Sequence, residues 1–437
     1  MPRQMLVEIG VLALAAAGTL WLTLSVWRSA DFDVLEYAGY ARAYWLGQPH
    51  FAALPQEYPP AALLVFGLAV LPAGSDVRVV FGVWMGLLFV VGFAGFRCRA
   101  GVSAAARYAM YLLLGAQGTL LARFDLVPAL ATVGALWAIQ RRRFALAYLL
   151  LGVGILLKFY PVVLVPLAVL EHLHVIRQAG NIVEGGLVAS PGTASGSGGG
   201  GTRQVAHVGR ALVLTGAGIG FLCAAGITGM SLLRGPGSAL ASVRYAIERP
   251  IQVESFQATL LWLGTFLGIP AEHSYAFGAD SYTGVLSGAV GMAAVAALGA
   301  SCAFIYWRLG TGNLEIGRAF LVCLCVVALT SKVFSTQYLI WILPIAAEVG
   351  GDVVFWLLVC ALSFVDYPLL YPFNQPGYTS METTVFLALL AARNLALVVL
   401  TVRVLSRNDK DAPADARTGE RREPLAVVAG DRRSAGM

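Results

Sequence analysis

Residues 79–96 carry no charged side chain. At about 1.5 Å per residue, an uncharged helix of that length approaches the roughly 30 Å hydrocarbon core of a bilayer. Runs of this kind recur along the whole chain, at about 5–27, 76–96, 106–121, 124–140, 144–158, 161–176, 208–230, 284–306, 315–331, 336–350, 353–371 and 382–404. Lipid offers no partner to a free backbone group, so such runs cross as helices. Composition agrees: 12% of residues are charged, against about 25% in soluble domains. The sequence therefore predicts an all-α polytopic membrane protein of about twelve transmembrane helices.

Two shorter apolar runs, 60–72 and 259–270, end in Pro72 and Pro270 and are too short to cross. The arginines decide how to count them, because basic loops stay on the cytoplasmic side. If neither run crosses, "RCRAGVSAAAR" (97–107), "RRR" (141–143), the loop 177–210, "WRLGTGNLEIGR" (307–318) and the tail from Arg403 all face the cytoplasm. Both runs are accordingly expected as re-entrant or interfacial helices on the outer side. Residues 5–27 are read as an uncleaved first span, because the run is too long for a signal peptide and no clean cleavage site follows.

The resulting organisation is an N-terminal membrane module (1–176) with a polar first outer loop (28–75), a flexible Gly/Ser linker (177–207), a C-terminal membrane module (208–404) and a disordered tail (405–437). Both termini are cytoplasmic in this reading, in a multi-pass protein of the cell membrane. The net charge of +6 reflects loop arginines and does not point to nucleic acid. The six cysteines form no CxxC pair, so neither a zinc site nor a disulfide framework is indicated. No Walker loop or strand-borne GxGxxG is present. The His172-x-His174 pair falls at the cytoplasmic end of a span and is set aside as a metal site.

Polar chemistry gathers in the outward segments. In "SADFDVLEYAGYARAYWLG" (29–47), Asp33, Tyr37, Tyr40 and Tyr44 share one helical face, with Arg42 opposite. Asp31 or Asp33 caps that helix, which leaves the other free. Glu57 and Tyr58 precede a Pro pair at the mouth of the first short run. Arg123 and Asp125 sit in a tight turn, either as a local ion pair or as part of a site. Lys158, beside Tyr160, and Lys332 stand at outer helix ends in a chain with only one further lysine. Arg249 and Glu254 lie in "ERPIQVESFQ", and Gln337 and Tyr338 in "SKVFSTQY". Scattered cations suit phosphate, and a free carboxylate beside them suits a general base. Arg393 falls inside the last apolar run, where a cation is costly and faces the bundle interior. Asp366 is a candidate partner for it, and a purely structural role is the other reading.

The ordered set "DVLEYAGYARAYWLG", "EYPPAALL", "RFDLVPAL", "LLKFYPVVLVP", "RPIQVESFQATLLWL" and "SKVFSTQYLIWILP" resembles the polyprenyl-phosphate-mannose-dependent mannosyltransferases of actinobacteria, membrane glycosyltransferases of GT-C architecture. Where relatives often have "PY" after the first-loop glycine, this chain has Pro49-His50. The resemblance implies an extracytoplasmic active site, a β-linked polyprenyl-phosphate mannose as donor, a lipid or glycan acceptor, and transfer with inversion. It places the catalytic acid at Asp33, with Asp31 the close alternative. Lys158, Arg249, Lys332 and Arg123 would hold the donor phosphate. Tyr37, Glu57, Tyr58, Asp125, Tyr160, Glu254, Gln337 and Tyr338 would contact substrate. No cofactor is implied, and metal dependence stays open. A transporter of a polyprenyl-linked or other amphipathic phosphate-bearing substrate would use the same cations, but around midplane residues. A noncatalytic scaffold is the third reading.

Overall fold

The computed structural model describes residues 32–45, 58–59, 61–71, 74–187, 226, 228–229, 241–371 and 380–407. Helix α1 is Phe32–Trp45, and α2, Ala62–Phe66, runs into a 3-10 turn Gly67–Val70. The first apolar hairpin pairs α3, Val77–Arg99, with α4, Gly101–Gly115. A short α5, Gln117–Leu120, leads to α6, Leu126–Gln140, and α7, Phe144–Leu157. A 3-10 turn Tyr160–Leu164 then opens α8, Val165–Leu187. The second half has α9, Ala241–Glu248, and α10, Phe256–Thr265, before strands β1, Ala271–Ala276, and β2, Ala279–Gly284. The long helices follow: α11, Ser287–Gly310; α12, Ile316–Thr330; α13, Leu339–Val349; α14, Val353–Phe364; and α15, Ser380–Ser406.

The expected spans from 76–96 to 161–176 and from 284–306 to 382–404 coincide with helices. The run 5–27 lies outside the described residues, and 208–230 almost entirely so. Five helical stretches are long and apolar enough to cross a bilayer: Val77–Arg99, Tyr160–Gln178, Ser287–Gly310, Val353–Leu370 and Thr384–Ser406. Four shorter apolar helical stretches accompany them. In α11, Met292, Val295 and Trp307 stand exposed. An apolar surface of this extent suits lipid as its solvent, and the largely helical fold is compatible with a membrane protein.

Helices start where the sequence supplies acceptors for orphan N–H groups. Asp76 accepts from the Arg78 N–H at 2.9 Å, Ser255 from that of Ala258 at 3.1 Å, and Glu315 from those of Gly317 and Arg318. Helices α12 and α13 are buried along almost their whole length and form the centre of the main core, packed by Tyr108, Leu136, Trp356 and Leu397. A second, aromatic core forms where α1, α2 and the start of α3 meet Phe124.

Three features refine the expected architecture. First, within the otherwise helical fold β1 and β2 form a hairpin, antiparallel in the register Ala271↔Gly284 to Ala276↔Ala279. Its turn, Phe277-Gly278, has positive φ at both residues (53° and 71°), which matches the right-handed strand twist. The hairpin also pairs with the preceding loop through Val253 N–H to Asp280 O (2.9 Å) and Tyr282 N–H to Ile251 O (2.8 Å). Second, the 259–270 run is helical only through Thr265 within α10, and 60–72 is a five-residue helix plus a 3-10 turn. Neither is long enough to span. Third, α8 continues to Leu187, eleven residues into the segment read as linker.

The connectivity sorts charge to two ends of the bundle. At one end Arg99 donates to Gln140 at 3.1 Å, Arg107 to the Ala347 carbonyl at 3.0 Å, Arg318 to the Arg407 carbonyl at 2.6 Å and Arg403 to Asp352 at 2.9 Å. At the other end lie the α4–α6, α7–α8, α12–α13 and α14–α15 junctions, with α1, α10 and the hairpin.

Candidate functional site

Asp33 lies in the first turn of α1. Its two carboxylate oxygens take Arg123 Nη1 and Nη2, each at 2.5 Å. Burial is the largest single influence and opposes the Arg123 cation, but Asp33, Tyr37, Tyr58 and Asp125 together hold the guanidinium well above its usual range. This fork-to-fork pair fixes the carboxylate plane, while the Asp33 side chain keeps 22% of its surface exposed. Asp33 is thus oriented by Arg123 rather than spent as a helix cap. Asp31 and Glu57 lie outside the described residues.

Arg123 and Asp125 do not pair with each other. Asp125 is fully buried and receives Lys158 Nζ at 2.5 Å and the Trp341 indole N–H at 2.6 Å, both on Oδ1. It stands at the start of α6 without capping it. The α7–α8 break at Lys158-Phe159-Tyr160 turns Lys158 inward, over the rings of Trp341 (5.0 Å), Phe124 (5.1 Å) and Tyr58 (5.9 Å). Burial pushes the Lys158 ammonium below its ordinary value, and Asp125 opposes that shift. Tyr160 stacks on Trp341 at 4.3 Å and shares a 3.0 Å hydrogen bond with Thr132. Tyr338 stacks on the other partner face of the same indole at 4.1 Å. Tyr37 is buried against Phe66 (4.3 Å, stacked) and edge-on to Tyr58, so its ring belongs to the aromatic core.

The remaining two phosphate candidates differ in kind. Arg249 is half-buried, with its guanidinium 5.9 Å from the Tyr245 ring. Lys332, also half-buried, donates from Nζ to the Ile247 carbonyl at 3.1 Å. Among the described residues neither is ion-paired to a carboxylate. Two segments 85 residues apart are thus joined, and Gln252 N–H to Lys332 O (2.9 Å) and Gln257 Nε2 to Thr330 O (2.8 Å) reinforce the seam. Tyr338 lies within electrostatic reach of Arg249, Asp125 and Glu254 alike, which ties the unpaired cations to the Asp125 cluster. Gln337 sits in the same turn with a buried, unpartnered Oε1.

Comparison of the chain with family models, curated proteins and solved structures finds no match. The site therefore stands on its geometry.

Arg393 is buried in α15 and meets Asp366 at 2.5 Å, the partner suggested by the sequence. It also donates to the Glu254 carbonyl at 2.6 Å, and its guanidinium lies 4.5 Å from the Phe334 ring centroid. Asn394 adds hydrogen bonds to that carbonyl (3.2 Å) and to Thr259 Oγ1 (3.0 Å). Glu254 is buried within this knot and not presented to solvent. Trp341 was missed by the sequence reading. Its signal was an indole N–H inside an apolar helix, a donor that needs an acceptor when buried. Among the described residues no group of three His, Cys, Asp or Glu side chains is placed to hold a metal ion.

Proposed function

We infer that this chain is a GT-C-like membrane glycosyltransferase of about twelve spans. It transfers a hexose, mannose by resemblance, from a polyprenyl-phosphate donor to a lipid or glycan acceptor. Two observations carry the reading: Asp33 is an oriented, part-exposed carboxylate, and two half-buried cations, Arg249 and Lys332, lack acid partners among the described residues. The arginine-rich opposite end supports an extracytoplasmic position of this site in the cell membrane, since basic loops stay in the cytoplasm.

In the proposed reaction the acceptor hydroxyl attacks C1 of the sugar. The new C1–O bond forms as the C1–O bond to phosphate breaks, and configuration inverts. Asp33 takes the hydroxyl proton, and the bonding pair leaves on the phosphate. Phosphate is already a good leaving group, so charge neutralisation contributes more than proton donation. Arg249 and Lys332 are suited to supply it. Lys158 and Arg123 are already neutralised by Asp125 and Asp33, so they hold the acids in place and add little free positive charge.

The buried Arg393–Asp366 pair, inside two membrane helices, favours transport as a second reading, because intramembrane ion pairs mark substrate paths. Purified protein incubated with radiolabelled polyprenyl-phosphate mannose and a membrane-lipid acceptor separates the two. The transferase releases polyprenyl phosphate and labels the acceptor. Movement of intact donor across vesicles without release would replace it with the transporter.

A further inference from the structure

Three negative groups and three positive groups pair off near the site: Asp33 with Arg123, Asp125 with Lys158, and Asp366 with Arg393. Glu254 is left over. Its carboxyl is almost fully buried and shares the Arg393 guanidinium with that of Asp366. The one guanidinium between them is spent on Asp366 Oδ2 at 2.5 Å and stands 3.9 Å from Glu254 Oε1. Two buried carboxyls that share one cation disfavour the doubly ionised state.

The hydrogen bonds say where the proton goes. Glu254 Oε2 accepts from Gln252 Nε2 at 2.6 Å. Asp366 Oδ2 accepts from Arg393, while Asp366 Oδ1 is buried with no donor. A proton on Glu254 Oε1 supplies that donor, so one hydrogen atom settles both the surplus charge and the orphaned oxygen.

The geometry points to Glu254 as a neutral carboxylic acid that donates to Asp366 and so positions the loop carrying Arg249. The loop is held at three places: Arg393 and Asn394 on the Glu254 carbonyl, β2 on Ile251 and Val253, and Lys332 O on the Gln252 N–H. Arg249 lies five residues before Glu254, and Lys332 is bonded to the same loop. The proton bridge between the loop and the Val365–Leu370 segment therefore sets the spacing of the unpaired cations. With Glu254 neutral, their positive charge also stands unopposed.

The other charged and titratable groups near Glu254 fit. Burial, then the neighbouring Asp366 carboxyl, push Glu254 well above the usual carboxylate range; Arg393 and the more distant Arg123 oppose them. Tyr338 and Tyr371 complete the set within its electrostatic reach.

The bridge itself is tested on the full chain in detergent at neutral pH, by the infrared difference between wild type and Glu254→Gln. Wild type should show the carbonyl stretch of a protonated carboxylic acid, shifted by deuterium exchange and absent from the variant. A carboxylate signal in its place overturns the proposal. The positioning role rests on the anion site proposed above and is read by titration with a short-chain polyprenyl phosphate. Glutamine can still donate to Asp366, so Glu254→Gln should bind within about twofold of wild type, while Glu254→Ala, which leaves a buried oxygen unpaired, should bind about tenfold more weakly. Equal weakening by Gln and Ala would show that the charge, not the hydrogen bond, is needed. If Glu254→Ala does not fold, the infrared band and the Gln affinity still decide. Arg249→Gln is the control: unchanged affinity there sinks the anion site while leaving the infrared result intact.

Discussion

Asp33 and Asp125 are two aspartates in one polar cluster with different environments. Asp33 keeps a fifth of its surface and faces a guanidinium fork; Asp125 has none and faces an ammonium and an indole. The first is placed to exchange a proton with a bound molecule, the second to hold structure. Asp33→Asn should lower transfer by about 10²–10⁴-fold, the usual contribution of a general base, with the thermal unfolding midpoint little changed. Transfer near the wild-type rate would remove Asp33 from the mechanism. Lys158→Met should instead destabilise by about 3–5 kcal/mol, since it strands the buried Asp125 charge. Adding Asp125→Asn keeps an acceptor for Trp341 and removes that charge, so the double variant should regain much of the lost thermal midpoint. A double variant less stable than Lys158→Met would show that the pair is not what matters. The sequence marked every one of these residues as polar and outward. It did not reveal the pairing, because Asp33–Arg123 and Asp125–Lys158 join residues 90 and 33 apart, and the nearer Arg123–Asp125 pairing was equally compatible with a tight turn.

At the scale of elements, glycine separates packed from lipid-facing helices. A Cβ on Gly115, at the end of α4, would lie 2.8 Å from Cys360 Sγ and 3.0 Å from Leu343 Cδ1. Gly288, in the first turn of α11, has nothing within 4 Å. Gly115→Ala should therefore cost about 1–3 kcal/mol through overpacking, whereas Gly288→Ala should be neutral or stabilise by up to about 1 kcal/mol through lost backbone entropy. Thermal unfolding of both variants in detergent checks the contrast; equal shifts would contradict the packing of α4 between α13 and α14. The helices were legible because predominantly apolar runs of 15 to 24 residues leave few alternatives in lipid. The hairpin was not: "AEHSYAFGADSYTG" lacks the β-branched density of a strand, having one threonine, and its pairing with residues 251–253 is a tertiary contact.

For the whole molecule, the decisive variable is which end of the bundle faces out. Five long apolar stretches and their shorter companions alternate in direction, and the arginines at one end are bonded to carbonyls and side chains of neighbouring helices. Those bonds give the basic loops a packing role as well as a topological one. Even so, positive charge resists translocation whatever its local partners, so in the proposed topology the end holding Arg99, Arg142 and Arg318 faces the cytoplasm. Exposed positions near the two ends test this directly. In a background with all six native cysteines replaced by Ser, among them Cys98, exposed among the described residues, single cysteines at Ser75 and Arg142 report opposite ends of the described bundle, both positions being exposed. Ser75→Cys should react with a membrane-impermeant maleimide on intact cells, and Arg142→Cys only after permeabilisation. The reverse pattern would put Asp33, Arg249 and Lys332 in the cytoplasm. A polyprenyl-linked donor would then have to be used on its side of synthesis, and the extracytoplasmic transferase reading would fail even if every contact within the site were intact.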